Sequence, residues 1–251
     1  MSNLPESAEE SFLRKYLERM IVHEDDSVLV VNKPAGVPVY GVSKICPFGI
    51  VEAVAASKRL DTHPVHRLDR DTSGLLLLGK SSSSRRALSK QFSGRRVSKI
   101  YLALVDGQWD PILAGIIAPL TRNEPVRVEL SEQARKAATA FTLVAHLEDE
   151  RYNPYSLLKI KIFTGRTHQI RAHLSSLGHP IVGDKTYNFD PTGASRQLLH
   201  AYEMTFIHPK TKQPLTLRAP IETDFGQAIL GFRNNTATDS YREIISEIRG
   251  F

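Results

Sequence analysis

The spacing of hydrophobic positions predicts more strands than helices along this 251-residue chain. Short apolar runs bounded by Gly or Pro are typical of buried strands, and alternation with a period of two is typical of strands with one buried face. Together these two patterns predict strands at residues 27–31, 75–78, 99–105, 157–163, 204–207 and 215–217. The leucine run 75–78 is expected to be buried on both faces.

Helical patterns are fewer. A serine-rich start predicts a helix over residues 81–94, with a Ser N-cap and Gly94 at its end. Thr167 is expected to N-cap a second helix that reaches Leu177, followed by Gly178 as a left-handed terminator. Because strands dominate and strict β-α-β alternation is missing, the sequence predicts an α+β fold around a mixed, largely antiparallel sheet.

Composition narrows the class of partner. The net charge of +6 and the isoelectric point near 9.4 favour an anionic partner such as nucleic acid. A single cysteine, Cys46, excludes an internal disulfide framework and suits a reducing compartment. The N-terminal residues resemble neither a secretory signal nor a transit peptide, and no apolar run approaches the roughly 20 residues that cross a bilayer. We therefore expect a cytoplasmic protein with no membrane partner.

The stretch "HRLDRDTSGLLLLGKS", residues 66–81, suggests two different functions. Its second half matches the Gly-x4-Gly-Lys-Ser pattern of a phosphate-binding P-loop. A P-loop, however, needs an open loop whose backbone N–H groups surround the phosphates, and four consecutive leucines would not face an anion and water. We interpret this half as a buried strand and expect no nucleotide binding that depends on Lys80.

The histidines do not predict a metal site. His63 and His66 flank Pro64 without a third ligand close in sequence. His168 and His173 are five residues apart on a predicted helix, which separates them by about 140° around the axis. The His-Glu-x-x-His pattern is also missing. We expect neither a metal nor a cofactor.

Asp69 lies in the polar loop that leads into the Leu75 strand, a position that suits a catalytic group on a rigid scaffold. The alternative is that Asp69 or Asp71 only caps a turn with Thr72 and Ser73. We assign Asp71 to that structural role.

A second polar cluster, "GRTHQIRAHLSSLGHP", covers residues 165–180 and places Arg166, His168 and Arg171 at the start of a helix. The spacing of three puts His168 and Arg171 on one helix face, and an apolar set is expected to dock on the sheet: Ile170, Leu174 and Leu177. Guanidinium groups at this position can bind phosphate or pair with a buried carboxylate, although a solvated basic face is the simpler alternative.

A one-signed run of charge lies between Gly79 and Ile100, where seven basic residues occur without an acid. They are Lys80, Arg85, Arg86, Lys90, Arg95, Arg96 and Lys99. Such a run is often a solvated helix face, but in a basic chain it also suits an RNA phosphate backbone.

Four motifs, in order and spacing, resemble those of the RluA-type pseudouridine synthases: "HRLDRDTSGLLLLGK", "SKIYLALVDG", "GRTHQIRAHLSSLGHPIVGDKTY" and "LLHAYEMTFIHP". The resemblance covers about residues 21–221 and is closest to the RluC-like branch, which modifies large-subunit ribosomal RNA. It implies a pseudouridine synthase fold with a central RNA-binding cleft in residues 21–251, preceded by a tail or linker helix in residues 1–20. It also implies isomerisation of an RNA uridine without cofactor or metal.

The resemblance assigns roles to individual residues. Asp69 matches the catalytic Asp, which acts on the sugar or on the base. Tyr101 matches the residue that packs against the target ring and helps to remove the C5 proton, and Arg171 matches the partner of the catalytic Asp. Arg67 matches the side chain that enters the RNA stack when the uridine is flipped out. His66, Arg166 and His168 are expected to bind RNA, together with six members of the basic run: Arg85, Arg86, Lys90, Arg95, Arg96 and Lys99.

Some alternatives stay open at the level of sequence. Ribosomal RNA is the expected substrate, transfer RNA is a second one, and no obligate protein partner is implied. A non-catalytic RNA-binding protein is the competing class, but such a protein would have no reason to keep Asp69, Tyr101 and Arg171 together. RluC-like proteins usually carry a small S4 RNA-binding domain first, and too few residues precede Ser27 to contain one.

Overall fold

A computed structural model describes residues 15–41, 48–58, 62–110, 113–122, 124–129, 131, 133–188 and 194–250. The chain divides into two compact units. The first unit consists of Met1–Val97 and Thr205–Ala219, and the second of Ser98–Met204 and Pro220–Phe251. The predicted tail or linker helix falls largely outside the described residues, of which 15–20 are helical.

Strands account for most of the regular structure. They are β1 (Ile21–Glu24), β2 (Val28–Lys33), β3 (His63–Pro64), β4 (Ser73–Gly79), β5 (Ser98–Asp106), β6 (Leu113–Ile117), β7 (Ala138–Glu148), β8 (Pro154–Ile162), β9 (Leu199–Ile207), β10 (Pro214–Arg218) and β11 (Arg233–Ala237). The helices with defined bounds are α1 (Ile50–Lys58), α2 (Ser82–Ser93), α3 (Gln169–Ser176), α4 (Thr223–Gly231) and α5 (Asp239–Arg249). None of the helices in the described ranges is long and apolar enough to cross a membrane.

The first unit is built around β4. This strand pairs with β2 and β3 in antiparallel register, β2 pairs in turn with β1, and every residue of β4 is buried. Helix α1 packs on one face of the β2–β4 pair, where Ile50 and Val54 meet Leu29 and Leu76. The predicted strand at 75–78, buried on both faces, is confirmed.

Helix α2 follows β4 directly, as the sequence predicts. Its N-cap is Ser81, whose hydroxyl accepts a hydrogen bond from Ser84 N at 3.1 Å, and its C-cap is Gly94. Gly79 is needed at this junction because a Cβ there would lie 2.8 Å from Arg85 N. Lys80 forms an ion pair with Glu24 at 2.9 Å. Gly79 and Lys80, which match the Gly-Lys pair of the P-loop pattern, therefore serve helix packing and a surface ion pair.

The second unit contains the strand order β9-β5-β8-β7-β11, with β6 also paired to β7. The pairings of β5 with β8, β7 with β8, β6 with β7 and β11 with β7 are antiparallel. Helices α4 and α5 contribute Phe225, Ile229 and Ile244 to a core that includes Leu102 and Leu157. The predicted α+β class with a largely antiparallel sheet is confirmed.

The start of α3 corrects one prediction. The helix begins at Gln169, and its N-cap is His168 in a left-handed conformation (φ +50°), not Thr167. The side-chain amide oxygen of Gln169 accepts from Arg166 N at 3.1 Å and from the Thr164 hydroxyl at 2.7 Å, which fixes the loop before the helix, and the N-cap His168 makes no side-chain capping bond. Gly178 has the predicted positive φ. Leu177 is exposed rather than docked on the sheet, because the helix has already ended.

Candidate functional site

The loop that carries Asp69 is anchored to β4 at its base. Val65 N donates to Leu77 O at 3.2 Å, and Leu77 N donates to Nε2 of His66 at 3.0 Å. The His66 ring also stacks on Phe92 of α2, with centroids 4.9 Å apart. These contacts make His66 a structural anchor of the loop, and the RNA contact that the sequence suggests for it stays a prediction.

Lys33 holds the same loop from the other side. Its side chain is fully buried, and Nζ donates to the carbonyl oxygens of Pro34, Val37 and Arg70, each at 2.8 Å. Arg70 in turn donates from Nε to Gly36 O at 2.7 Å. Three charge-assisted bonds from one ammonium group therefore tie the segment after β2 to the residue that follows Asp69.

Asp69 begins the turn that leads into β4. Its carbonyl oxygen accepts from Thr72 N at 3.2 Å, and the residue is half-buried. Arg67, two residues earlier, is exposed. A carboxylate on an anchored loop beside an exposed guanidinium is an arrangement that can position a reactive group next to a bound polyanion.

Arg171 is held in the second unit by a carboxylate that the sequence does not single out. Nε and Nη2 of Arg171 donate to the two oxygens of Asp184 at 2.6 and 2.8 Å, and both side chains are buried. Asp184 Oδ1 also accepts from the backbone N–H groups of Thr186 and Tyr187 at 3.0 and 3.2 Å. The guanidinium is therefore fixed in orientation by a bidentate pair.

Tyr187 joins Arg171 to His168. The Arg171 guanidinium lies over the Tyr187 ring at 5.1 Å, and the Tyr187 hydroxyl lies 3.1 Å from His168 Nδ1. Burial raises the pKa of Tyr187 to about 12 although the Arg171 charge opposes the shift, so the phenol stays protonated at neutral pH. Its oxygen also accepts from Val126 N, so the hydroxyl is held by two polar contacts. His168 and Arg171 thus both contact Tyr187, although His168 is the N-cap and does not lie on a helix face as predicted.

Tyr101 lies on β5 opposite Ile160 and is buried. Lys99 is two residues away on the same strand face, and desolvation by burial lowers the pKa of this lysine to about 8. A Cβ on Gly165 would lie 3.5 Å from Lys99 Nζ, which places the ammonium beside the loop that carries Arg166. Arg166 itself donates from Nε to Lys136 O at 3.3 Å.

The basic run is divided by the structure. Five of its seven members are exposed on α2 and in the turn after it: Arg85, Arg86, Lys90, Arg95 and Arg96. The buried side of α2 is fixed by Gln91, whose amide exchanges two 2.8 Å hydrogen bonds with the backbone of Ile207. Lys80 is paired with Glu24, and Lys99 belongs to the second unit.

Comparison with known proteins identifies the family to which the chain belongs. The family model for RNA pseudouridylate synthases matches residues 27–176, which is more than half of the chain. The chain belongs to the RNA pseudouridylate synthase family. As a member of this family it is an isomerase that forms pseudouridine in RNA, and the resemblance described from the sequence is confirmed. Asp69, Tyr101 and Arg171 all lie within the matched range.

Two curated relatives of this synthase carry the name ribosomal large subunit pseudouridine synthase C. The one from Haemophilus ducreyi is 42% identical over 221 residues, which cover 82% of this chain and 67% of the relative. The one from Pasteurella multocida is 40% identical over 237 residues, which cover 89% and 71%. The solved human RNA pseudouridylate synthase domain containing 1 is 26% identical, with a TM-score of 0.74 over 92% of this chain and 94% of that one. The human domain containing 4 shares the fold, with a TM-score of 0.75 at 22% identity.

The sequence analysis does not single out three residues that support the candidate site: Lys33, Asp184 and Tyr187. Asp184 and Tyr187 stand in "GDKTY", where an Asp followed by polar residues is a signal for a side chain that bonds to the backbone N–H groups after it. Lys33 had a weaker signal, a lysine at the end of a buried strand and before Pro34. Within the ranges that the structure describes, no three His, Cys, Asp or Glu side chains are grouped closely enough to hold a metal ion.

Proposed function

We propose that this synthase isomerises a uridine of large-subunit ribosomal RNA, with Asp69 as its catalytic carboxylate and Tyr101 and Arg171 as further catalytic residues. The substrate is proposed from the curated relatives named for the large ribosomal subunit, at about 40% identity over most of the chain. The role of Asp69 rests on its position in a loop anchored by Lys33 and His66. A cytoplasmic location, which the sequence predicts, fits such a substrate.

The reaction needs no external reagent because uridine and pseudouridine are isomers. The C1'–N1 bond breaks, the base turns, and a C1'–C5 bond forms, while C5 loses a proton and N1 gains one. Asp69 must be ionised to act as the nucleophile or base. Tyr101 offers the target base an aromatic face and an oxygen that can take up the C5 proton. Arg171, whose orientation Asp184 fixes, supplies a positive charge. Its pairing with Asp69 stays a prediction from the family resemblance.

The target uridine must leave the RNA stack, since stacking hides C1' and C5 from any enzyme group. Extrusion of a base costs about a few kcal/mol, which contacts to the backbone and to the vacated gap recover. We assign Arg67 to the gap because it is exposed on the same loop as Asp69. The exposed arginines and lysine of α2 are suited to the phosphates, and His168 and Arg166 to the nucleotides near Arg171.

The direct test is pseudouridine mapping of ribosomal and transfer RNA from cells with and without the gene, followed by rescue with variants. Asp69→Asn should fold normally and restore none of the lost sites. Asp71→Asn, two residues away in the same loop, is the matched control and should restore all of them. A lost site in transfer RNA alone would refute the proposed substrate. Full rescue by Asp69→Asn would refute the role of Asp69, and binding without turnover by the wild type would favour a non-catalytic protein.

A further inference from the structure

One face of the sheet formed by β6, β7 and β8 exposes large apolar side chains next to each other. Ile117 is 85% exposed, Leu113 71% and Phe163 48%. Phe163 extends β8, since its N–H donates to Ala138 O at 3.1 Å, and Ile117 is the register partner of Ala138 on the other side. The three strands therefore line up Phe163, Ala138 and Ile117 in one row, with only a small residue in the middle.

Two lysines share this face. Lys159 and Lys161 alternate with the buried residues of β8 and point to the same side as Phe163. Lys161 pairs in register with Ala140 on β7, and its Nζ lies over the Phe163 ring at 5.6 Å. We call the surface made by Phe163, Lys161, Lys159, Ile117 and Leu113 the Phe163 patch. The small neighbours between its members make it flat.

The charge of the Phe163 patch is of one sign. The three strands contain one acid, Glu148, at the end of β7 that pairs with Pro154, away from Lys161 and Phe163. Arg166 lies three residues after Phe163, and its Nε donates a hydrogen bond to the carbonyl oxygen of Lys136. Arg166 and Lys136 therefore add two cations where the patch meets the loop before α3. That loop carries the residues already proposed to bind RNA in the second unit. The patch is thus continuous in sequence with a proposed RNA contact.

This combination of an exposed aromatic ring, flat apolar surroundings and cations without acids fits single-stranded RNA. A base can stack on an aromatic side chain whatever its identity, while nearby lysines bind its phosphates. A second copy of the chain fits less well, because a two-fold contact through this face would bring Lys159 and Lys161 of both copies together without a carboxylate between them. An exposed apolar patch of this kind is itself uncommon on a monomer without a binding role.

We propose that an unpaired nucleotide of the RNA substrate, other than the target uridine, stacks on Phe163 and has its phosphates bound by Lys161 and Lys159. The inference rests on the proposed function and extends it to a second RNA contact. It makes Phe163 a binding residue that anchors the flank of the substrate.

The test uses the ribosomal RNA fragment that carries the mapped uridine and measures KM and kcat separately. Phe163→Ala should raise KM about five- to hundredfold, which is the usual effect of removing one base-stacking aromatic, and leave kcat unchanged. Phe163→Trp should keep a KM near that of the wild type. Tyr152→Ala is the matched control: Tyr152 is an exposed aromatic in the same unit, with Arg233 over its ring at 5.3 Å, and it lies outside the patch.

A second measurement keeps the proposal testable if Phe163→Ala folds poorly. Lys161→Gln should raise KM and weaken its salt dependence, and RNA with 5-iodouridine at flanking positions should cross-link to a peptide containing Phe163. An unchanged KM in Phe163→Ala, an equal effect of Tyr152→Ala, or no cross-link to Phe163 would each overturn the inference. So would a wild-type dimer that Phe163→Ala converts to a monomer, or cross-linking of the patch to a protein. Wild type without turnover on any RNA would count against the proposed function instead.

Discussion

Replacing Asp184 by Asn should strongly destabilise the synthase although it preserves the shape of the side chain. Arg171 and Asp184 are both buried, and the carboxylate takes two guanidinium bonds of 2.6 and 2.8 Å. An Asn side chain can still accept from the N–H groups of Thr186 and Tyr187 through its Oδ1, so the turn after residue 184 keeps its bonds. The change therefore removes mainly the negative charge that neutralises a buried guanidinium.

The size of the effect follows from that uncompensated charge. Breaking a buried ion pair by removing one partner costs about 3 to 5 kcal/mol. The cation–π contact between Arg171 and Tyr187, with the guanidinium 5.1 Å from the ring centroid, remains in the variant and supplies no part of the loss. We expect the free energy of unfolding at pH 7 to fall by about 3 kcal/mol, the lower end of this range, because the amide oxygen still accepts one bond from Arg171.

Urea unfolding followed by circular dichroism measures this difference. Asp149→Asn is the matched control, because Asp149 Oδ1 also accepts from two backbone N–H groups, those of Arg151 and Asn153 at 2.8 Å, but on an exposed turn without a buried cation. This control should lose much less stability than Asp184→Asn, because water solvates its exposed carboxylate. A double variant, Arg171→Met with Asp184→Asn, removes the unpaired cation and keeps the turn bonds, so it should recover part of the stability while activity is lost. The reasoning is refuted if Asp184→Asn loses no more stability than Asp149→Asn.

The remaining predictions concern three other charged groups. Lys33→Met removes three 2.8 Å bonds to the carbonyls of Pro34, Val37 and Arg70, of which the last is the residue after Asp69. We expect kcat to fall in a turnover assay and the thermal midpoint to drop in calorimetry, and an unchanged kcat would show that the Asp69 loop does not need this anchor. Burial tends to raise the pKa of Asp25, but the His23 bond and the N–H groups of Ser27 and Val28 prevail and lower it to about 2. The pKa of Asp25 is lower in the folded than in the unfolded state, so ionised Asp25 stabilises the fold above pH 4, and this stabilisation is lost as the pH falls toward 2. Asp25→Asn should therefore make the free energy of unfolding in urea less dependent on acid, by about 1 to 2 kcal/mol after a discount for partial exposure. Lys99 loses its charge as the pH rises past about 8, so the KM for RNA should increase above this pH in the wild type and stay level in Lys99→Arg. If KM depends on pH in the same way in both proteins, Lys99 is excluded as an RNA contact.

The parts of the fold that the sequence predicts are those set by local signals. The run Leu75–Leu78 can only be buried, and a serine followed by a helical pattern places the start of α2 within one residue. The predicted start of α3 was wrong because hydrogen bonds between Gln169 and β7 outweighed the local capping preference of Thr167. Gln169 bonds across to Ala138 O and Thr139 as well as back to Arg166, and this network displaces Thr167 from the cap.

The candidate site was predicted only in part for the same physical reason. Motifs name the residues that are proposed to act on a substrate, such as Asp69 and Arg171. They do not name the groups that hold them, because burial and pairing arise only on folding. Asp184 lies thirteen residues from Arg171, and Lys33 lies 37 residues from Arg70. Both supporting residues are charged and buried, which is the class of position where composition and periodicity predict exposure.

The P-loop pattern at residues 74–81 shows how burial decides between two interpretations of the same letters. A glycine is present at 79 because α2 starts so close that any Cβ would clash with Arg85 N, whereas a phosphate loop needs its glycines for access to an anion. The lysine at 80 has its charge satisfied by Glu24, whereas a P-loop lysine must reach a phosphate. The four residues between the glycines are buried in a strand whose N–H groups are bonded to neighbouring strands. The strand that rules out a phosphate loop also supports the loop that carries Asp69, the proposed catalytic residue, so the two halves of the stretch do not require two functions.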